Sequence, residues 1–212
     1  MMDIRWIFFD IGSTLVDETQ AYDRRARKML ENTEITFRGF DSKRIEFAKQ
    51  GFDGDTEAIK YFGLRKIPWP SEDEVVYEDA RETLETLKNR GYRLGIIANQ
   101  PAGTAQRLQE RGLSEFFDTV IASAEAGVAK PDSRIFEMAL NAAECAPSNA
   151  VMVGDRLDND ILPAKKLGMK TVWIRKGMSR HQDISLGKGI ADRTICALAE
   201  LNEIFTEAPF MI

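Results

Sequence analysis

One histidine and two cysteines in 212 residues exclude several kinds of chemistry at once. Cys145 and Cys196 are too few and too far apart for a disulfide framework or a structural zinc site. His181 stands alone in GMSRHQDI, a polar surface loop, with too little around it for a catalytic triad. Basic charge is also short: 29 Lys and Arg face 34 Asp and Glu, a formal net charge of -5. Such a chain has no cationic field to concentrate nucleic acid or an anionic membrane surface. No apolar run approaches the roughly 20 residues that span a bilayer, and the N-terminus has no basic stretch followed by a long apolar core. Internal repeats and low-complexity segments are absent too. These absences predict a soluble protein of a reducing, cytoplasmic compartment, with no nucleic-acid or membrane partner. What is present, 43% hydrophobic and 30% charged residues, suffices for the core of one ordinary domain with a small appendage.

From residue 75 onward, strand-like and helix-like patterns alternate. Residues 79–90 place Ala80, Leu84 and Leu87 on one helical stripe and stop at Gly91. YRLGIIA reads as a buried strand, followed by a helix over 103–111, a strand in FDTVIAS, a helix over 133–144 and the strand AVMVGD at 150–155. A helix over 160–167 closed by Gly168, the strand KTVWIR and a last helix over 197–205 complete the order. Alternation of this kind predicts a Rossmann-like α/β fold, a parallel sheet with helices on both faces, whose ligands gather at the carboxyl ends of the strands. Asp10, Asn99, Ser123 and Asp155 all fall there. Residues 19–74 interrupt the rhythm with helical segments over 21–30, 42–50 and 56–62 and end in the proline-marked KIPWPSED. They read as a small helical insert above the strand ends, or as extra helices packed on the sheet. The expected division is a core of 1–18 and 75–212 and an insert of 19–74.

Four stretches carry the chemistry. IFFDIGSTLVDE delivers Asp10 from an apolar strand to a Gly-Ser-Thr turn, GIIANQ delivers Asn99, GVAKPDSRIF places Lys130 before a helix, and VMVGDRLDNDI supplies Asp155 and Asp160. A carboxylate at Asp10 is a candidate nucleophile toward phosphorus, or a helix N-cap. In this order the set resembles the haloacid dehalogenase superfamily, most of whose members are Mg2+-dependent phosphohydrolases with an aspartate nucleophile. The resemblance spans residues 4 to about 178, and the insert lies where many members carry a helical cap. It implies an aspartyl phosphate on Asp10, with Lys130 placing a fixed positive charge beside nucleophile and phosphoryl oxygens. It also implies Mg2+ held by Asp10, Asp155 and the carbonyl of Gly12. Asp160 would orient metal-bound water or Lys130, or cap the helix that follows.

Two positions depart from the family's pattern. The second aspartate of its first motif, which serves as general acid and base, is here Gly12, and the Ser or Thr before the Asn of its second motif is Ala98. Loss of proton transfer is worth about a hundred- to ten-thousand-fold in rate. The amide of Asn99 and the backbone amides of Ile11 and Gly12 are the expected phosphoryl ligands. Asp17 and Glu18 read as a solvated acidic hinge into the cap. The expectation is therefore a phosphatase of a small phosphorylated metabolite, slow or confined to good leaving groups. Phosphonatase or dehalogenase chemistry, which also runs without an acid at position 12, stays open, with Lys43, Lys49 and Lys60 as candidate cap lysines. So does a regulatory binding protein that keeps the fold. Trp69 and Phe62 would line the cap or pack in its core. Substrate and oligomeric state are not legible.

Overall fold

The computed structural model describes residues 4–206; residues 1–3 and 207–212 of the expected core segments lie outside the described residues. Its centre is β1 (Trp6–Phe9), a run of aromatic and branched residues buried at every position. Side chains in a strand alternate between faces, and the two hydrophobic clusters divide accordingly. Ile7 and Phe9 join Leu84 and Leu87 on one face of the sheet, whereas Trp6 and Phe8 meet Ile135, Phe136 and Ala139 on the other. A strand this apolar on both sides requires cover on both sides, and the helices provide it.

The remaining strands are the short β2 (Val16–Asp17) and β3 (Val75–Val76), then β4 (Arg93–Ala98), β5 (Thr119–Ala122), β6 (Ala150–Gly154), β7 (Lys170–Ile174) and β8 (Arg193–Ile195). The main sheet runs β5-β4-β1-β6-β7-β8, all parallel. Its chain order leaves β1 toward β4 and β5, then returns to the other side of β1 with β6. The carboxyl ends of β1, β4 and β6 therefore flank the point where the winding reverses, the crevice in which open α/β sheets bind ligands. The helices are α1 (Thr19–Leu30), α2 (Phe37–Lys49), α3 (Gly54–Tyr61), α4 (Ala80–Asn89), α5 (Thr104–Glu110), α6 (Ser123–Ala126), α7 (Ser133–Ala142), α8 (Leu162–Lys166) and α9 (Leu201–Ile204).

Helices α1 to α3 bury a cluster of their own, Ala26, Met29, Leu30, Phe40, Ala58 and Ile59, separate from the sheet. Helix α2 begins five residues before the sequence pattern suggested, because Thr36 caps it: its hydroxyl accepts from the amide of Gly39. The segment enters and leaves through an antiparallel ribbon of β2 and β3, pairing Val16 with Val76 and Asp17 with Val75. Two-residue strands carry no readable periodicity, so this ribbon has no signature in the sequence; the same holds for β8. The expected helix over 160–167 opens as a π-helical turn, Leu157–Ile161, before α8. Among the described residues no helix is long and apolar enough to cross a membrane.

Candidate active site

Asp10 follows β1, and its amide donates to Val153 O at 2.9 Å, which locks it beside the end of β6. Asp155 follows β6; its carbonyl accepts from the indole N–H of Trp173 at 2.8 Å. Lys130 reaches in from the loop after α6, through a cis peptide bond to Pro131. Its side chain is 1% exposed, and its ammonium meets three oxygens, Asp10 Oδ1 at 2.7 Å, Asp160 Oδ1 at 2.6 Å and Ile97 O at 2.9 Å. Asp10 Oδ1 and Ile97 O accept hydrogen bonds from the ammonium, whereas Asp160 Oδ1 meets it as an ion pair.

Asp160 sits in the π-helical turn, an irregularity often found at functional sites. While one oxygen meets Lys130, the other accepts from the amide of Arg156, four residues upstream, at 3.0 Å, and the helix that follows takes no side-chain cap from it. Its close approach needs Gly154, where a Cβ would fall 2.5 Å from the Asp160 carboxyl.

One ligand oxygen from each of Asp10, Asp155 and Asp160 lies within 4.8 Å of the others. Lys130 offsets one of the three charges. Burial first, then Asp160, Asp10 and Glu18, raise Asp155 well above the usual carboxylate range. Burial raises Asp160 as well, against the pull of Lys130. An excess of buried carboxylate oxygen fits a small, hard divalent cation, which would bring these groups back to their ionised form.

Asn99 lines the cavity and is also engaged within the protein. Its Nδ2 donates to Lys130 O at 2.9 Å and its Oδ1 accepts from Lys130 N at 2.8 Å. The amide thus clamps the lysine loop. Ser123 Oγ accepts from the amide of Gln100 at 3.1 Å and so tethers the adjacent turn. Ile11 and Gly12 lie in a tight loop in which the amides of Thr14, Leu15 and Val16 all donate to Ile11 O.

Above the strand ends lies a cavity of about 300 Å³, lined by Glu18, Tyr22, Arg25, Trp69, Asn99 and Arg107 among others. Trp69 reaches it and meets Tyr22 edge-on at 4.7 Å, while Phe62 packs in the helical cluster. Arg25 stands 4.5 Å over the Trp69 ring and pairs with buried Asp55. Arg156 crosses from the sheet to Asp53, the N-cap of α3, at 2.9 Å. Lys43 and Lys60 pair with Glu46 and Glu57, Lys49 is exposed, and none of the three lines this cavity. His181 is not fully solvated: burial and Arg180 lower its pKa.

The acidic hinge needs correction. Asp17 does cap the turn, accepting from the amide of Thr19 at 2.8 Å. Glu18, in contrast, is half-buried with its carboxyl turned inward, and it lines the cavity. Burial, reinforced by Asp10 and Glu74 and opposed by a hydrogen bond from Ser13, pushes it up to about 8. Sequence alone gave little sign of this, because the fold-back that returns residue 18 to residue 12 is a matter of tertiary geometry.

Residues 4–168 match the family described as haloacid dehalogenase-like hydrolase. The chain is 32% identical, over a 227-residue alignment covering 96% of it and 94% of the relative, to glyceraldehyde 3-phosphate phosphatase of Pyrococcus furiosus. It is 36% identical to phosphoserine phosphatase of Thermus thermophilus over 104 residues, 49% of this chain and 42% of that one. Among solved structures it resembles a HAD phosphatase from Thermococcus onnurineus, with a TM-score of 0.67 and 27% identity, covering 97% of this chain and all of that one. A parallel sheet with the nucleophile candidate at its central strand end, a buried lysine, a carboxylate cluster and this match over most of the length agree: the chain belongs to the haloacid dehalogenase-like hydrolase family.

Proposed function

We propose that the protein is a Mg2+-dependent phosphatase of small phosphorylated metabolites, acting through an aspartyl phosphate on Asp10, with residues 19–74 serving as a cap over the strand ends. The observation that carries this reading is the ammonium of Lys130, shared between Asp10 and Asp160 at the edge of a three-carboxylate cluster. Lys130 fixes Asp10 at Oδ1 and puts a permanent positive charge where phosphoryl oxygens would crowd a carboxylate. Asp160 and Asn99 hold Lys130 from its side chain and its backbone. Bound by Asp10, Asp155 and the carbonyl of Gly12, Mg2+ would supply further charge against that repulsion. Attack by Asp10 on phosphorus divides a hard hydrolysis into formation and breakdown of an acyl phosphate.

The cavity of about 300 Å³ beneath the helices, lined by Glu18 and Asn99, has the size for a small substrate. The relatives named for glyceraldehyde 3-phosphate and phosphoserine, both small phosphate esters, support the same class. Lys43, Lys49 and Lys60, the candidate phosphonatase lysines, do not line the cavity, whereas Lys66 of the same segment does. The test is a panel of small phosphate esters assayed with Mg2+ and with chelator, against Asp10→Asn as control. Phosphate release that needs Mg2+ and vanishes in Asp10→Asn is the expected result. Release no greater than that of Asp10→Asn from every ester would overturn the reading.

A further inference from the structure

Position 12 has no side chain, yet the space a side chain would take there is filled. A Cβ built on Gly12 falls 2.5 Å from Glu18 Oε1 and 2.8 Å from both Cδ and Oε2. The carboxyl of Glu18 thus occupies the place of a group borne by residue 12, two residues beyond the nucleophile and open to the cavity. Gly12 does not have a positive φ, so its backbone does not require glycine; the glycine provides room.

Two neighbours complete the arrangement. Ser13 Oγ donates to Glu18 Oε2 at 3.0 Å, from a residue held at φ 53°, a left-handed conformation uncommon outside glycine. Ser13 is itself buried, and a Cβ on Gly177 would collide with its hydroxyl. Gly12 thus clears space for the carboxyl, Ser13 holds it, and Gly177 clears space for Ser13. The segment between is pinned. Three successive amides converge on Ile11 O, Tyr77 N donates to Leu15 O at 3.0 Å, and the β2–β3 ribbon fixes Val16 and Asp17.

We propose that Glu18 is the general acid and base of this enzyme, supplying from six residues downstream the carboxyl group that position 12 lacks; this rests on the phosphatase reading above. In the first half-reaction an oxygen of Asp10 bonds to phosphorus as the bond from phosphorus to the ester oxygen breaks. The electron pair stays on that oxygen, and Glu18 gives it a proton, releasing the alcohol. In the second, Glu18 takes a proton from water as the water oxygen bonds to phosphorus and the acyl phosphate bond breaks. Asp10 is returned as carboxylate, Glu18 as acid, and phosphate leaves.

The experiment compares wild type and Glu18→Gln, with Mg2+, on an alkyl phosphate and on p-nitrophenyl phosphate, whose leaving group needs no proton. Glutamine keeps an oxygen for Ser13 but has no proton to exchange. The expected kcat/KM falls about 10²- to 10⁴-fold on the alkyl ester and less than about tenfold on the aryl ester. Because breakdown still needs the base, kcat on the aryl ester falls too, and phosphorylated Asp10 accumulates, read by intact mass after acid quench. Equal losses on both esters with no phosphoenzyme would make Glu18 a packing residue and overturn the proposal. Wild type inactive on every ester would instead fail the phosphatase reading and remove this one with it. Should Glu18→Gln not fold, Ser13→Ala gives the second reading: a smaller loss with the same preference for alkyl esters upholds the proposal, and no preference overturns it.

Discussion

Replacing Lys130 by methionine keeps most of the side-chain volume and removes the charge. In the metal-free protein the change strands Asp10 Oδ1, Asp160 Oδ1 and Ile97 O, which now lie 2.6 to 2.9 Å from the ammonium. Asp160 is the costly one, because its side chain is 1% exposed while that of Asp10 is 14% exposed. Removing one partner of a buried ion pair typically costs about 3–5 kcal/mol, since the remaining charge is left without compensation. The cost has a ceiling set by protonation. An acid already raised by burial takes up a proton more readily as pH falls, so the loss is smaller near pH 5 than near pH 8.

Urea denaturation of Lys130→Met, Asp160→Asn and the double variant in chelator, at both pH values, measures this directly. The double variant should cost less than the sum of the singles by about 1–3 kcal/mol, because the amide no longer needs the ammonium. Added Mg2+ should shrink the loss in Lys130→Met by restoring positive charge to the cluster. A loss under about 1 kcal/mol, or strict additivity of the two substitutions, would refute the claim that this pair is a buried, mutually dependent charge couple.

Gly12→Asp, which the sequence suggests as a gain of acid, should give none: the new side chain must displace the Glu18 carboxyl 2.5 Å away. The expected outcome is a loss of about 1–3 kcal/mol in chemical denaturation, the worth of a charged hydrogen bond, with alkyl-phosphate turnover no higher than wild type; faster turnover would contradict it. Asp155→Asn should weaken Mg2+ binding by at least about tenfold in calorimetry, one charged ligand being lost, and an unchanged titration would remove Asp155 from the site. The metal-free protein should lose thermal stability as pH rises from about 5 to 8. Glu18 is pushed up to about 8 and Asp155 and Asp160 are raised too, so the folded chain holds protons that the unfolded chain has released, and that advantage disappears as pH passes the folded values. Mg2+ should therefore raise the melting temperature more at pH 8 than at pH 5, and a flat profile in chelator would count against the buried acidic cluster. Asn99→Ala should lower kcat about tenfold or more by freeing the Lys130 loop, consistent with the rate cost of misplacing a catalytic group by an ångström; a normal rate would mean that the clamp is dispensable.

Much of the architecture was already written in local pattern. β1 reads as buried because Trp6 to Phe9 are all apolar, and the helix over residues 80–89 reads from Ala80, Leu84 and Leu87. Asp10 and Asp155 were legible because each follows a readable strand of a parallel sheet, whereas Lys130, before a helix, and Asp160, at the start of one, stood out only through the order of motifs that resembles the family. The β2–β3 ribbon was not, since strands of two residues have no period. Nor was the duty of Asn99, whose two hydrogen bonds to Lys130 join residues 31 apart in the chain.

Glu18 marks the boundary most clearly. The sequence by itself determined that residue 12 has no side chain and that an acid follows six residues on. Only the tertiary structure decided that this acid turns inward. It depends on a tight loop at Ile11, a ribbon formed with residues 75–76, a serine at positive φ and a glycine at position 177, and no local pattern encodes a contact assembled from four separate parts. Periodicity reports which face of an element is buried, because burial acts on each residue in its own strand or helix. The direction of one carboxyl group depends on which atoms from distant segments have left space for it.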